Sequence, residues 1–530
     1  MEISRFKSLL SELNVGSPLH YHTGRNNFII TELDIEHDKI TVEREAETSS
    51  VLNINFQKLL SLGQKFEINK PIDTEVFFGS SGNDRSVLSG LAANTSEIYS
   101  VKIKGRTNIV WCPHKPHSPN QIVLLTENDF QQISGIKNNV SVNSVVPNYR
   151  KYITAIRTKP FLLLAGISGT GKSRIVRELA RACWGKDHEE SKAHKPRNYE
   201  IVQVKPNWHD STELIGYVSR SSGTPVFVVG DFLKFVVKAW EEPDVPYFLC
   251  LDEMNLAPVE QYFAEFLSVI ESRKLYPDGK IETDPILKPD FEGINVEDGT
   301  PILSKWYENL IGQLLSECPA EKLFALKDQF EIAGISIPQN LIVIGTVNMD
   351  ETTFSFSRKV LDRAMTIEMN EVDLYGGLAE KHETIGKIEF KTVVGDAVEG
   401  VDVYETNKDV CDIVIEYLKT VNDKLEGTPF KIAYRTRNEF LLYVVNNLPY
   451  NKDDNNEELS QEDIINRALD EITCMKILPR IEGDVDKTSG VLNGLEDVLK
   501  GRFNEQDSAS LKKIKEMKNR LQSGFTSFWS

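Results

Sequence analysis

Residues 1 to about 140 carry short apolar segments, among them FIITELDI, KITVERE, SVLNINF, EIYSVKIK, NIVWC and QIVLL. Clusters of Asn, Gly, Ser and Pro separate these segments. Short segments bounded by turn residues are typical of strands. We therefore expect an α+β or β-rich module here, with a helix at its start.

From Tyr149 onwards, continuous apolar runs alternate with helical stretches. This alternation predicts a parallel sheet with crossover helices, which is an α/β fold. The strands are expected at residues 161–165, 200–204, 247–251 and 341–347. Ligands of such sheets bind at the carboxyl ends of the strands.

Two stretches, residues 278–337 and about 371–407, are acidic, rich in Gly and weakly periodic. We interpret them as surface insertions rather than sheet strands. From residue 408 the apolar residues recur at spacings of three and four, which predicts helices. The expected domains are therefore 1–140, an α/β part at 145–407, and a helical part at 408–530.

The composition is that of a folded protein, with 40% hydrophobic and 26% charged residues among 530. The longest apolar runs are too short to span a membrane, and the first residues lack the pattern of a signal peptide. The six cysteines form no C-x-x-C pair, which argues against a disulfide framework or a zinc ribbon. We expect a cytoplasmic protein with reduced cysteines.

The strongest motif lies between the predicted strand at 161–165 and the helical stretch SRIVRELARAC. It has the form G-x-x-x-x-G-K-[ST], in which backbone N–H groups surround phosphates, the lysine neutralises them and the hydroxyl binds Mg²⁺. Candidate nucleotide-binding residues are Gly166, Ser168, Gly169, Thr170, Gly171, Lys172 and Ser173.

A second apolar strand, YFLCL, ends in Asp252 and Glu253. Behind a phosphate loop, Asp252 is expected to hold Mg²⁺ and Glu253 to deprotonate the attacking water. The alternative is an acidic pair on a solvent-exposed strand end.

A third strand ends in Asn348, whose amide could position that water. Arg358 and Arg363 follow, and either could reach the nucleotide of an adjacent subunit. By themselves these are weak signals, because an Asn at the end of a strand is usually a cap and an Arg in SRKVLDRA is usually a surface charge.

Several longer strings resemble one branch of AAA+ NTPases, the McrB-like motor subunits of modification-dependent restriction systems. The strings are VKPNWHDSTELIGY, LDEMNLAPVEQYFAEFLSVIES, NLIVIGTVNMDETTFSFSRKVLDRA, FKIAYRTRNEF and GFTSFW. The resemblance implies that Asn348 is the sensor-1 amide, Arg363 the arginine finger with Arg358 as its rival, and Arg435 the sensor-2 arginine of the lid. It also implies a ring, hexameric or similar, and a separate McrC-like nuclease subunit. The chain departs from the M-N-T-A-D signature of the family, so ATP and GTP both stay open.

Residues 1–150 hold 15 basic and 16 acidic side chains, so the net charge of −18 lies almost entirely in the rest. No acid occurs between Glu97 and Glu127, where basic residues lie beside aromatic ones. Such a mixture suits phosphate contact with base stacking, although solvated lysines on a strand pair would look the same. The candidate nucleic-acid residues are Lys102, Lys104, Arg106, Trp111 and Lys115.

The motifs predict a Mg²⁺-dependent AAA+ NTPase, and the resemblance implies a motor of a restriction or phage-defence complex whose residues 1–140 select modified DNA. A protein-remodelling ATPase of the MoxR or dynein-related kind is the alternative, and a slowly hydrolysing scaffold is a third. Cys112, His114 and His117 could be metal ligands, but three candidates without a fourth are more often loop residues.

Overall fold

The computed structural model describes most of the chain after residue 146 and separate stretches before it. The described residues are 3–15, 18–20, 27–35, 37–44, 51–53, 56–66, 72–73, 82–103, 106–111, 118–120, 123–125, 147–221, 223–277, 279–295, 301–349, 354–370, 374, 385–453 and 457–529. The chain divides into two compact units, Met1–Val140 and Ser141–Ser530.

The described stretches of the first unit form two small four-stranded sheets. One has the order β1–β2–β3–β4, with antiparallel strands at Pro18–His20, Asn27–Asp34, Lys39–Arg44 and Val51–Asn53. The other has the order β5–β7–β6–β8, with strands at Ile72–Asp73 (β5), Ile98–Ile103 (β6), Arg106–Trp111 (β7) and Leu124–Leu125 (β8).

Among the described residues of this unit, three helices accompany these sheets, at Ile3–Leu10 (α1), Phe56–Lys65 (α2) and Gly82–Ala93 (α3). Phe6 of α1, Leu59 of α2 and Leu91 of α3 are buried in one core with Phe28 and Val42 of the first sheet. The expected α+β module with a helix at its start is therefore confirmed. The sequence interpretation missed α2 and α3.

The second unit is built on a five-stranded parallel sheet with the order β10–β13–β20–β9–β21. Its strands are Phe161–Gly166 (β9), Tyr199–Gln203 (β10), Tyr247–Asp252 (β13), Leu341–Asn348 (β20) and Met365–Glu368 (β21). Four of the five were predicted within one residue at each end, and β21 was missed. The predicted α/β fold is confirmed.

The strands of this sheet are continuously apolar because helices cover both faces. Alternate residues of β9 enter different cores: Leu162 and Leu164 lie in one, and Phe161 and Leu163 in the other. The helices before residue 270 are Pro147–Thr158 (α4), Lys172–Ala182 (α5), Asp231–Glu241 (α6), Val259–Tyr262 (α7) and Ala264–Val269 (α8). A hairpin of Gly216–Ser219 (β11) and Val226–Val229 (β12) precedes α6.

The described residues of the stretch 278–337 add no strand to the central sheet, as expected, but they form regular elements of their own. It contains Lys305–Leu314 (α9) and Ala320–Ala333 (α10), whose Tyr307, Leu310 and Phe330 are buried. Short strand pairs surround these helices, at Lys274–Leu275 (β14) with Ile281–Glu282 (β15), Pro285–Leu287 (β16) with Ile335–Ser336 (β19), and Phe291–Ile294 (β17) with Pro301–Leu303 (β18).

The rest of the unit is helical, as the spacing of apolar residues predicts. The helices are Arg358–Leu361 (α11), Phe390–Val393 (α12), Val401–Tyr404 (α13), Lys408–Lys424 (α14), Tyr434–Asn447 (α15), Gln461–Lys476 (α16), Val485–Lys500 (α17) and Ala509–Leu521 (α18). A short strand pair, Gly483–Asp484 (β22) with Phe525–Thr526 (β23), flanks α17 and α18. The sequence interpretation had not identified α17. Ile388 and Val393, within the stretch interpreted as an insertion, are buried in the core.

Candidate nucleotide site

The G-x-x-x-x-G-K-S motif lies between the carboxyl end of β9 and the first turn of α5, as its sequence context predicts. Gly169 and Gly171 have φ angles of 86° and 83°, a left-handed region that side chains with a Cβ rarely adopt. Gly171 is also the residue that precedes the first turn of α5. The loop therefore turns its backbone back on itself at a helix N-terminus, the geometry that binds phosphate groups.

Lys172 points across the loop rather than into solvent, since it is only 6% exposed. Its Nζ donates hydrogen bonds to the carbonyl oxygens of Gly166 (2.9 Å) and Ile167 (2.7 Å). The ammonium charge is thus held within the loop, close to where phosphates would bind. Thr170 closes the turn by donating its hydroxyl to the Ile167 carbonyl at 3.1 Å.

Asp252 lies at the carboxyl end of β13 and faces Ser173. The Ser173 hydroxyl donates to Asp252 Oδ1 at 2.5 Å, and the Thr346 hydroxyl donates to the same oxygen at 2.8 Å. Hydroxyl and carboxylate oxygens are the ligands that Mg²⁺ prefers, so this donor set fits the ion. Thr346, inside the predicted third strand, was not identified from the sequence.

Glu253 has an unusual backbone, with φ 54° and ψ 49°, in the left-handed region. Its N–H donates to the Thr346 hydroxyl at 2.9 Å, and Asn348 Nδ2 donates to its carboxylate oxygen Oε1 at 3.1 Å. Backbone strain of this kind costs about 1–3 kcal/mol and persists where the surrounding structure imposes it. Asn348 and Glu253 are therefore brought together by neighbouring strands, β20 and β13.

A cavity of about 870 Å³ opens directly beside the phosphate loop. Thr170, Gly171 and Arg174 line its loop side, and Tyr149, Trp184 and Ile385 contribute apolar surface. Its size and mixed lining are those of a small-molecule site.

The three predicted arginines lie elsewhere. Arg358 donates to the Pro429 carbonyl at 2.9 Å and lies over the Phe430 ring. Arg363 and Arg435 both pair with one carboxylate, that of Glu271, which the sequence interpretation did not identify.

Arg363 lies at the opposite edge of the sheet from the phosphate loop. It precedes Met365, which pairs with Leu162 near the amino end of β9, whereas the loop starts at Gly166. At 3.3 Å per residue, the length of β9 is about 16 Å. Arg363 therefore lies away from this chain's own phosphate loop.

The predicted nucleic-acid residues of the first unit stay a prediction. Lys102 and Arg106 belong to the hairpin of β6 and β7, but their side chains, and all of Lys104 and Lys115, lie outside the described residues. Trp111 is half-buried, and its indole N–H donates to Glu97 at 2.9 Å. Tyr99, on β6 of this hairpin, is buried and would need a rearrangement to stack on a base.

The structure bears on three other features considered from the sequence: metal ligands, cysteines and membrane-spanning helices. The candidate ligands Cys112, His114 and His117 lie outside the described residues, which themselves hold no cluster of three metal-binding side chains. The five described cysteines are free of disulfides. In the part of the chain that the structure describes, no helix has the length and apolar character needed to cross a membrane.

Comparison with protein families identifies two regions. Residues 161–294 match the AAA domain of the dynein-related subfamily, and residues 389–525 match a domain of unknown function, DUF8727. A comparison with curated proteins gave no match. The first match contains the phosphate loop, Asp252 and Glu253, and AAA+ domains bind nucleotide with Mg²⁺. The parallel sheet, its phosphate loop and this match together show that the chain carries an AAA+ P-loop module.

Proposed function

We propose that the protein hydrolyses nucleoside triphosphates in a site that two copies of the chain complete. The observation that carries the proposal is the pairing of Glu253 with Asn348 beside a phosphate loop and the Asp252–Ser173 pair. A site that only stored nucleotide would not need a carboxylate held where a water molecule can attack the γ-phosphate.

Each residue has a separate task in the proposed reaction. Glu253 takes a proton from the attacking water, whose oxygen bonds to the γ-phosphorus while the bond to the bridging oxygen breaks. Asn348 orients the Glu253 carboxylate and the water. Lys172 neutralises phosphate oxygens, and Ser173 with Asp252 would hold Mg²⁺, which adds positive charge there when bound.

The support for a site shared by two copies is that Arg363 and Arg435 lie away from the phosphate loop of their own chain. AAA+ ATPases commonly form rings, and an arginine from a neighbour stabilises charge that develops on the γ-phosphate. We therefore propose a closed ring of identical subunits, hexameric or similar, formed with nucleotide.

The test compares two variants of the full chain. Lys172→Ala should abolish nucleotide binding, whereas Glu253→Gln should keep binding and lose hydrolysis, because Glu253 acts only on the water. Binding is measured by titration with a fluorescent nucleotide, and hydrolysis by phosphate release with ATP and with GTP. Hydrolysis by Glu253→Gln at the parent rate would mean that Glu253 is not the base that takes a proton from the attacking water.

Mixing experiments test the shared site. An Arg363→Ala subunit mixed with a Lys172→Ala subunit should partly restore hydrolysis, since each supplies what the other lacks. Arg358→Ala in place of Arg363→Ala decides between the two arginines. A monomer in light scattering, at saturating and slowly hydrolysed nucleotide, would contradict the ring.

For the biological role, we propose a motor of a McrBC-like system that restricts modified DNA with a separate McrC-like nuclease. The support is the resemblance of the strings around Asn348 and Arg435, together with the near-neutral charge of residues 1–150. The test is filter binding of the full chain to modified and unmodified duplexes at stated salt concentrations.

A protein-remodelling ATPase is the second candidate. The match to the dynein-related AAA subfamily is as compatible with this candidate as with the restriction motor. Under this alternative, an unfolded protein substrate rather than a duplex should stimulate hydrolysis. Stimulation by modified duplex, with none by unfolded protein, supports the restriction motor, and the opposite result supports the remodelling ATPase.

A further inference from the structure

Two arginines from distant parts of the chain share one carboxylate. Arg363 comes from the segment before β21, and Arg435 from the first turn of α15. Glu271 follows α8, and its two oxygens divide between them: Oε2 lies 2.8 Å from Arg363 Nη2, and Oε1 contacts Arg435 Nη2. The carboxylate therefore bridges the α/β part and the helical part.

The two arginines are anchored very differently. Arg363 is 16% exposed and also donates to two carbonyl oxygens, those of Leu267 and Lys359, each at 2.7 Å. Arg435 is 44% exposed, and its ion pair within the described part of the chain is with Glu271. Loss of the carboxylate would therefore leave Arg363 in place and release Arg435.

The shared cluster lies at the amino edge of the central sheet. Phe266, next to Leu267, packs against Phe161, the first residue of β9. Glu439, one turn after Arg435, pairs with Lys159, two residues before β9. Both arginines are thus held at the edge opposite to their own phosphate loop.

We propose that Glu271 is a positioning residue, which holds Arg435 beside Arg363 so that both guanidinium groups face the nucleotide of a neighbouring subunit. The inference rests on the proposed ring. Two guanidinium groups this close repel each other, and a carboxylate between them offsets that repulsion. A glutamine amide of the same shape is uncharged and would not offset this repulsion, so Arg435 would turn towards solvent.

The first test is the steady-state kinetics of Glu271→Gln in the full chain. We expect kcat to fall by about 10- to 100-fold, because a misplaced catalytic group costs that much. KM should change less than about twofold, since the variant's own phosphate loop is intact. Glu271→Asp keeps the charge and should recover part of kcat. Glu265→Gln, an exposed position on α8, is the matched control and should match the parent.

The second test is a double-mutant cycle. Because Arg435 depends on Glu271 for its position, Glu271→Gln should add little to the loss caused by Arg435→Ala. With Arg363→Ala, in contrast, Glu271→Gln should lower kcat further. Independent, additive effects of Glu271→Gln and Arg435→Ala would overturn the proposal.

Mixing separates misplaced arginines from a misfolded subunit. Glu271→Gln mixed with Lys172→Ala should regain hydrolysis, because the second subunit supplies correctly placed arginines to the intact phosphate loop of the first. Arg435→Ala mixed with Lys172→Ala is the reference. If this mixture regains hydrolysis and the mixture with Glu271→Gln does not, the proposed role of Glu271 is overturned. If Arg363→Ala and Arg435→Ala both hydrolyse at the parent rate, the proposed ring site itself fails, and this inference fails with it.

Discussion

Glu471→Gln should destabilise the second unit by an amount that depends on pH. Glu471 lies on α16 with only 13% of its side chain exposed, and it pairs with Arg150 of α4, the helix that precedes the phosphate-loop strand. The Arg150 guanidinium makes two contacts with the carboxylate, at 2.5 and 2.9 Å. The Tyr443 hydroxyl donates to it as well, at 2.8 Å.

Burial is the largest single influence and raises the pKa of Glu471, but the charges of Arg150 and Lys151 and the hydrogen bonds from Arg150 and Tyr443 together outweigh burial and lower the pKa to about 2. Its ordinary value is 4.5, and each unit of difference is worth 1.36 kcal/mol, so the ionised carboxylate contributes about 3 kcal/mol to stability at neutral pH. Because the pKa is lower in the folded protein, this contribution is complete above pH 4.5 and is lost as pH falls towards 2.

The assay is urea unfolding followed by circular dichroism, at several pH values between 7 and 3. The free energy of unfolding of Glu471→Gln should lie about 3 kcal/mol below the parent at pH 7, and the gap should narrow below pH 4.5. Glu416→Gln, at an exposed residue that pairs with exposed Lys419, is the control and should show almost no gap. A gap that stays constant down to pH 3 would refute the reasoning.

Three further predictions concern the nucleotide site. Thr346→Val removes the hydroxyl that joins Asp252 to the backbone of Glu253, so stability should fall by about 1–3 kcal/mol in thermal unfolding, and hydrolysis should need more Mg²⁺. In Gly166→Ala, the new Cβ would lie 2.6 Å from the Met369 carbonyl oxygen, so nucleotide titration should show weaker binding. Glu253→Gly relieves the left-handed strain, so its urea midpoint should exceed that of Glu253→Ala although neither variant hydrolyses nucleotide.

The parts of the fold that the sequence predicted well are those where local pattern and final environment agree. A strand buried on both faces must be apolar throughout, so β9, β13 and β20 were recognisable as unbroken runs. The strand β21 has only four residues, MTIE, and follows directly on a charged segment, so its pattern was too short to recognise. The helix α2 was hidden because its first residue, Phe56, ends the apparent strand SVLNINF.

The phosphate loop and the acidic pair could be located from sequence because each is a short string whose chemistry depends on neighbours along the chain. Thr346 could not, since a threonine within LIVIGTVN looks like an ordinary strand residue. Only the sheet order, with β20 between β9 and β13, places its hydroxyl on Asp252. The order of strands is a tertiary property that no local pattern encodes.

The same reasoning explains why the arginines could be named but not located. Glu271 and Arg435 are separated by more than a hundred residues, and they meet because the helical part packs beneath the amino edge of the sheet. Lys476 of the helical part anchors the segment around Arg363. Its Nζ lies 2.8 Å from Glu439 and donates to the carbonyl oxygens of Leu361 and Ala364, on either side of Arg363. Burial lowers the pKa of Lys476 to about 8. A buried ammonium group is costly unless it is fully bonded, so this contact fixes the segment that carries Arg363 to the helical part.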